Sequence, residues 1–150
     1  MYSRQEASQL RKKFWTRFGQ YMRPLHNADG EPVNWINYKT GIKHLYFRMD
    51  ADKVKATIAI ELCHPDPYVQ RHYFEKFRSV EKLLHETTGE TWQWRLHSGD
   101  EDGKLISRIG TQVENVNIFD EKDWPAIISF LKPRMLALDS FWTMVKDSFD

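Results

Sequence analysis

The sequence has little cysteine, no long apolar run and almost no net charge. Its single Cys63 excludes an internal disulfide and any metal site built from several cysteines, and it is typical of a reducing compartment. No apolar run approaches the ~20 residues that a membrane span needs. The start, MYSRQEASQL, lacks the apolar segment of a secretory signal. We therefore expect a cytoplasmic protein with no membrane partner.

Motifs for phosphate loops and metal ligands are also absent. The seven glycines never form G-x-G-x-x-G or G-x-x-x-x-G-K-[ST], and the six histidines form neither H-x-x-x-H nor H-E-x-x-H. Cys63 with a distant histidine could imitate a thiol nucleophile, but a small buried hydrophobe at a strand end is more common. We expect no metal, no cofactor and no complete catalytic signature.

Charge is distributed unevenly, although the formal net charge is only +1. Residues 1–25 hold six cations and one acid, whereas residues 101–125 hold three cations and six acids. The basic start predicts a helix face that could touch phosphate, although a solvated helix face is the commoner meaning of such a run.

Three helical regions follow from caps and apolar spacing. Ser3 and Glu6 form a capping box before an amphipathic stripe, and Asp66-Pro67 predicts the start of a middle helix that Gly89 closes. The last third shows heptad spacing, with Pro133 expected to kink or split it into a helix pair over the sheet. The less common alternative is that the heptad residues form the seam between two copies of the chain in a dimer. These residues are Trp124, Ile128, Leu131, Met135, Leu138, Trp142, Val145 and Phe149.

Aromatic and cationic side chains are concentrated in residues 33–62, which the turn signals divide into three short strands. Lys39-Thr40-Gly41 predicts the first hairpin, and alternation predicts which side chains are buried on the next two strands. Two more strands are predicted at 91–97 and 104–110, joined by the loop SGDEDG. The prediction is one α+β domain over residues 1–150, with an antiparallel sheet of about five strands covered on one face.

The polar face of this sheet is the candidate site. Arg48 and Glu61 lie on neighbouring predicted strands, and Arg95 and Arg108 could share their face. Such a set could bind an anion or a nucleotide, because arginine makes bidentate contacts and tyrosine offers a stacking plane. The structural alternative is a ladder of cross-strand ion pairs, which is the commoner arrangement. The remaining candidate binding residues are His44, Tyr46 and Lys39.

A nuclease-like metal site is incomplete in this sequence. Nucleases of the restriction-endonuclease type need an aspartate near one strand end and Glu-x-Lys on the next strand. Asp50 and Glu61 occupy such places, but Cys63 stands where the lysine belongs. A divergent phosphodiesterase would need a migrated lysine, Lys53 or Lys55.

Long aromatic-rich segments resemble one bacterial family. NWINYKTGIKHLYFRMD at 34–50, ELCHPD at 61–66 and DWPAIISFLKPRMLALDSFW at 123–142 resemble the domain of unknown function 4268, and EASQLRKKFWTRFG at 6–19 fits too. The resemblance implies that related domains occur alone or after a nuclease-like part. It transfers no catalytic residue to this chain.

Three hypotheses follow. The first is a non-enzymatic, nucleic-acid-linked binding module that uses the polar sheet face and the basic first helix to contact nucleic acid or an anionic partner. The second is a homo-oligomeric assembly domain, with a homodimer along the 124–149 seam. The third is a divergent metal-dependent phosphodiesterase.

Overall fold

The computed structural model describes residues 2–100 and 102–149. Met1, Glu101 and Asp150 lie outside them, so the predicted loop SGDEDG is described only in part. The helices and strands follow the chain in this order: α1 (Arg4–Met22), β1 (Leu45–Ala51), β2 (Lys55–Leu62), α2 (Pro67–Ser79), α3 (Glu81–Thr88), β3 (Gln93–Gly99), β4 (Leu105–Glu114) and α4 (Trp124–Val145). Short 3₁₀ turns at Glu121–Asp123 and Lys146–Phe149 flank α4.

The sheet is antiparallel, with strand order β1-β2-β4-β3. Phe47, Ile60, Ile109 and Trp94 are register partners across the four strands and face the helices. Phe47 contacts Trp142 of α4, and Trp94 contacts Phe74 of α2. The helices therefore cover one face of the sheet, as the sequence predicted, and the other face stays open.

The predicted strand before Lys39 is wrong, so the described sheet has four strands rather than about five. The Asn34 side chain accepts hydrogen bonds from the backbone N–H groups of Ile36 and Asn37, which makes a tight turn there. Tyr38 then donates to Asp139 of α4 at 2.6 Å. These side-chain contacts tie the segment to the helical side, away from the sheet ladder.

Helix α4 departs from the predicted split into a helix pair, because it runs from Trp124 to Val145 with Pro133 inside it. Proline removes one backbone hydrogen bond at an exposed position, while the helix on either side is held by buried side chains. The heptad residues, apart from the half-buried Ile128, are buried inside the chain's own core. They form the intramolecular packing of α4 and leave no free seam for a second copy.

The local helix signals are confirmed at three positions. Ser3 and Glu6 form both hydrogen bonds of the capping box, Asp66 caps α2 ahead of Pro67, and Gly89 ends α3 with φ 74°. The middle helix is two helices rather than one. Val80 breaks it by donating to Phe77 O at 3.0 Å, a tightened turn that ends α2. Among the described residues, no helix is long and apolar enough to cross a membrane.

Candidate functional site

One row of side chains crosses the open face of the sheet. Tyr46 of β1, Glu61 of β2, Arg108 of β4 and Arg95 of β3 are successive register partners, so their side chains point to the same side. Arg48 lies on the same side, two residues along β1. These five residues are called the polar face below. The structure therefore brings together five of the seven predicted site residues.

Glu61 lies between two arginines of the polar face. Arg48 Nε is 2.9 Å from Glu61 Oε1, and Arg108 Nε is 3.1 Å from Glu61 Oε2. The Glu61 side chain is only 14% exposed, whereas those of Arg48 and Arg108 are 52% and 39% exposed. Arg108 Nε is itself buried without an aligned hydrogen bond. The carboxylate thus holds two guanidinium groups near the surface, where part of each stays open to solvent.

Arg48 also stacks on Tyr46. Its guanidinium carbon lies 4.2 Å from the centre of the Tyr46 ring, and Tyr46 itself is 38% exposed. A guanidinium over an aromatic face is an attractive cation–π contact. Stacking and the ion pair with Glu61 together hold the guanidinium of Arg48 in one orientation.

Arg95 and Arg108 face one another across β3 and β4. Like charges directly opposite on neighbouring strands destabilise a sheet. Within residues 2–100 and 102–149, Arg95 has no carboxylate within ion-pair distance, and Glu61 is the only carboxylate paired with Arg108. The polar face therefore carries three arginines and one glutamate, which is more positive charge than an alternating ladder would hold.

Two small residues lie beside the arginines on this face. Ala59 pairs with Arg48 on one side and with Gly110 on the other, and it is 1% exposed although no described helix covers it. A Cβ on Gly110 would lie 2.6 Å from Ile58 O and 2.7 Å from Ala59 Cβ. Only glycine fits here, so the strands approach closely beneath the arginine side chains.

A second group of polar residues adjoins the polar face at the end of β2. The His44 ring lies 4.9 Å from that of His64, and the Cys63 backbone N–H donates to His44 O at 2.9 Å. Burial, followed by the negative charge of Glu61, raises the pKa of the Cys63 thiol, although Arg48 opposes the rise. The thiol stays protonated at neutral pH, so this environment does not activate a nucleophile.

The sequence alone did not indicate that His64 and Cys63 lie beside His44. The signal was available in the strand register, because Leu45 opposite Leu62 places His44 beside Cys63. His44 itself lies immediately before β1, with φ 68°. Its ring meets that of His64 edge to face.

Lys39 lies elsewhere. The residues on either side of it, Tyr38 and Thr40, contact Asp139 and Trp142 of α4 through hydrogen bonds. The segment that carries Lys39 is therefore on the helical side of the sheet. The structure does not bring this predicted binding residue to the polar face.

The carboxylates of the phosphodiesterase hypothesis are far apart. Glu61 is the register partner of Tyr46, so Asp50 lies four residues further along β1, a separation of about 13 Å. Asp50 contacts Arg11 at 3.3 Å. No group of three histidine, cysteine, aspartate or glutamate side chains in the described part of the chain is arranged to hold a metal ion.

Several cationic side chains of the basic first helix make contacts within the molecule. Arg11 donates to Ala51 O at 2.9 Å, and Lys13 and Arg17 lie 3.4 and 3.6 Å from Glu121. Helix α1 packs on α4, on the side of the sheet away from the polar face. Arg11 of α1 reaches the open face at Asp50, which is not one of the five residues of the polar face.

A shallow cleft of about 560 Å³ lies between α1 and the segment 32–35. Trp15 and Trp35 contribute to its lining, and Arg23 and Gln20 are polar groups in its wall. Its volume is within the range of small-molecule sites, but such sites usually have several converging polar groups. The polar face has the more specific chemistry.

These features define a small α+β domain with helices on one face of an antiparallel sheet and an arginine-rich open face. The chain belongs to the family described as domain of unknown function DUF4268, whose model matches residues 10–146. The resemblance seen in the sequence is thereby confirmed. Comparison with curated proteins and with solved structures gives no match.

Proposed function

We propose that the protein is a non-enzymatic binding module whose polar face binds nucleic acid or another anionic partner. The observation that carries the proposal is that Arg95 lies opposite Arg108 on a face where the one carboxylate, Glu61, pairs with Arg48 and Arg108. A face selected for stability alone would place acids opposite bases, since opposite-charge pairs stabilise a sheet and like-charge pairs do not. An anionic ligand would supply the missing negative charge.

The exposure of the arginines supports the same function. Arg48 and Arg108 keep 52% and 39% of their side chains exposed while their Nε atoms are directed at Glu61. Arginine has five N–H donors in a planar fork, so a guanidinium held through Nε still has donors for a phosphate oxygen. Glu61 thus acts as a positioning residue for two phosphate-binding side chains.

A binding titration with matched variants tests the proposal. Fluorescence anisotropy is measured with labelled DNA and RNA, both single-stranded and duplex, at low salt and then at rising salt. We expect binding that weakens with salt, and Arg48→Ala and Arg95→Ala should each weaken it on every sequence tested. Each lost phosphate contact should reduce the slope of log K against log salt by roughly 0.7–0.9.

The control is Arg71→Ala, which removes an exposed arginine from α2, on the helical side. It should leave the titration unchanged, because it removes the same charge from a different surface. Absence of binding to every probe at low salt would refute the proposal. So would Arg48→Ala and Arg95→Ala variants that change only the unfolding temperature.

The two other hypotheses stay predictions without an observation in their favour. A homodimer would need a surface other than the buried heptad residues of α4, and light scattering measures the mass directly. A metal-dependent phosphodiesterase would need Asp50 and Glu61 to act together from opposite ends of the sheet. Titration with Mg²⁺ or Mn²⁺ tests it.

A further inference from the structure

We infer that the ligand of the polar face is single-stranded nucleic acid, with one base stacked on Arg48 and the adjoining phosphates bound by Arg108 and Arg95. The inference rests on the proposed function and adds the class of nucleic acid. It is carried by the stack of Arg48 on Tyr46, by the direction of the positive charge across the sheet, and by the position of the helices on the opposite side of the sheet.

The stack of Arg48 on Tyr46 offers a surface for a base. The guanidinium carbon lies over the tyrosine ring, 4.2 Å from its centre, and half of the side chain is exposed. Unpaired bases stack on arginine planes and aromatic rings, whereas a base inside a duplex already has neighbours on both faces. A planar group held in this way therefore favours a strand whose bases are free.

The excess of positive charge lies in one half of the open face, where three arginines accompany one glutamate. The other half carries Asp50, Lys55 and Glu114, and Lys55 is the register partner of Glu114. An anionic chain is therefore attracted along the row from Tyr46 to Arg95, across the strands rather than along them. Three strand intervals give this row a length of about 14 Å, and four-stranded sheets in single-strand-binding domains stack two or three bases over such a surface.

No described helix lies on the open face, so none could enter a duplex groove from that side. Proteins read duplex DNA by placing a helix or a two-stranded ribbon in the major groove. Here the helices pack on the opposite side of the sheet, and the polar face is formed by side chains on the strands themselves. Side chains on the strands of a sheet can contact splayed bases, which a single strand offers and a duplex does not.

The test compares probes and a charge-conserving variant. Fluorescein-labelled 12-nucleotide oligo(dT) and oligo(U) and a 12-base-pair mixed-sequence duplex are titrated at one low salt concentration. We expect the single strands to bind at least about tenfold more tightly than the duplex, as the loss of one stacking contact implies. Arg48→Lys keeps the charge but removes the plane, so it should weaken single-strand binding about tenfold with little change in salt slope.

Tyr46→Ala is the second variant, since it removes the support of the stack without touching an arginine. Arg71→Lys on α2 is the matched control and should bind as the unaltered protein does. Thermal unfolding of every variant shows that each is folded at the titration temperature.

The outcomes distinguish a failure of the single-strand inference from a failure of the proposed anion-binding function. Duplex binding equal to or tighter than single-strand binding would overturn the inference and leave anion binding intact. Unchanged single-strand affinity in both Arg48→Lys and Tyr46→Ala would do the same. No binding to any of the three probes would overturn both proposals.

Discussion

Replacing Arg95 with glutamate should make the protein more stable and less able to bind an anion. Arg95 faces Arg108 directly across β3 and β4, and both side chains lie on the open face. The substitution turns a like-charge pair into an opposite-charge pair at the same position of the ladder. Stability and binding should therefore change in opposite directions, which a purely structural role for Arg95 does not predict.

The size of the stability change follows from the pair geometry. An opposite-charge cross-strand pair contributes roughly 0.2–1 kcal/mol, and a like-charge pair costs a comparable amount. Solvent screens an exposed pair, so the lower part of each range applies and the total change is about 0.5 kcal/mol. For a chain of this length, that corresponds to a rise in Tm of about 1–2 °C.

Thermal and urea unfolding measure the stability, and the anisotropy titration at low salt measures the binding. The control is Arg71→Glu, which makes the same change of charge on α2 and should alter neither result beyond the general effect of net charge. The reasoning fails if Arg95→Glu lowers Tm, because the arginine pair then does not repel. It fails equally if Arg95→Glu is more stable but binds as before.

Two other predictions concern the packing that supports the site. Burial acts to raise the pKa of Glu90, but hydrogen bonds from Arg134 at 2.7 and 3.0 Å and from Trp92, together with the positive charge of Arg134, outweigh it and lower that pKa. The stability that this lowered pKa gives is complete above the unfolded pKa of about 4.3 and is lost as pH falls through the folded pKa. Glu90→Gln should therefore flatten the acid side of a curve of unfolding free energy against pH. The control, Glu86→Gln, changes an exposed glutamate and should leave that side steep. Gly110→Ala should destabilise by about 1–3 kcal/mol in urea unfolding, because its Cβ would meet a backbone oxygen at 2.6 Å. Gly99→Ala, which meets nothing within 4 Å, is the control, and an equal effect of the two substitutions would contradict the clash.

Local signals predicted much of the fold. The capping box at Ser3, the proline start of α2 and the glycine end of α3 are formed as expected, because each depends on a few neighbouring residues. The alternation in β1 and β2 also placed Phe47 and Ile58 in the core and Arg48 and Glu61 outside it. Strand geometry repeats every two residues, so this sorting needs no knowledge of the partner strand.

Contacts between distant segments explain the failures. The segment before Lys39 has the composition of a strand, yet Tyr38 is held by Asp139, which lies 101 positions away along the chain. Pro133 signals a break, yet α4 continues because core packing on either side holds it. In both places tertiary contacts outweigh a local preference that is weaker than they are.

The sequence alone determined which side chains share the open face, because alternation along a strand is a property of its own residues. Only the tertiary structure decided how those side chains meet. The register of β4 against β2 and β3 places Arg108 between Glu61 and Arg95, and no local pattern sets a register between strands so far apart in the chain. That pairing left one carboxylate among three arginines, and the excess positive charge is the physical basis for proposing a binding surface.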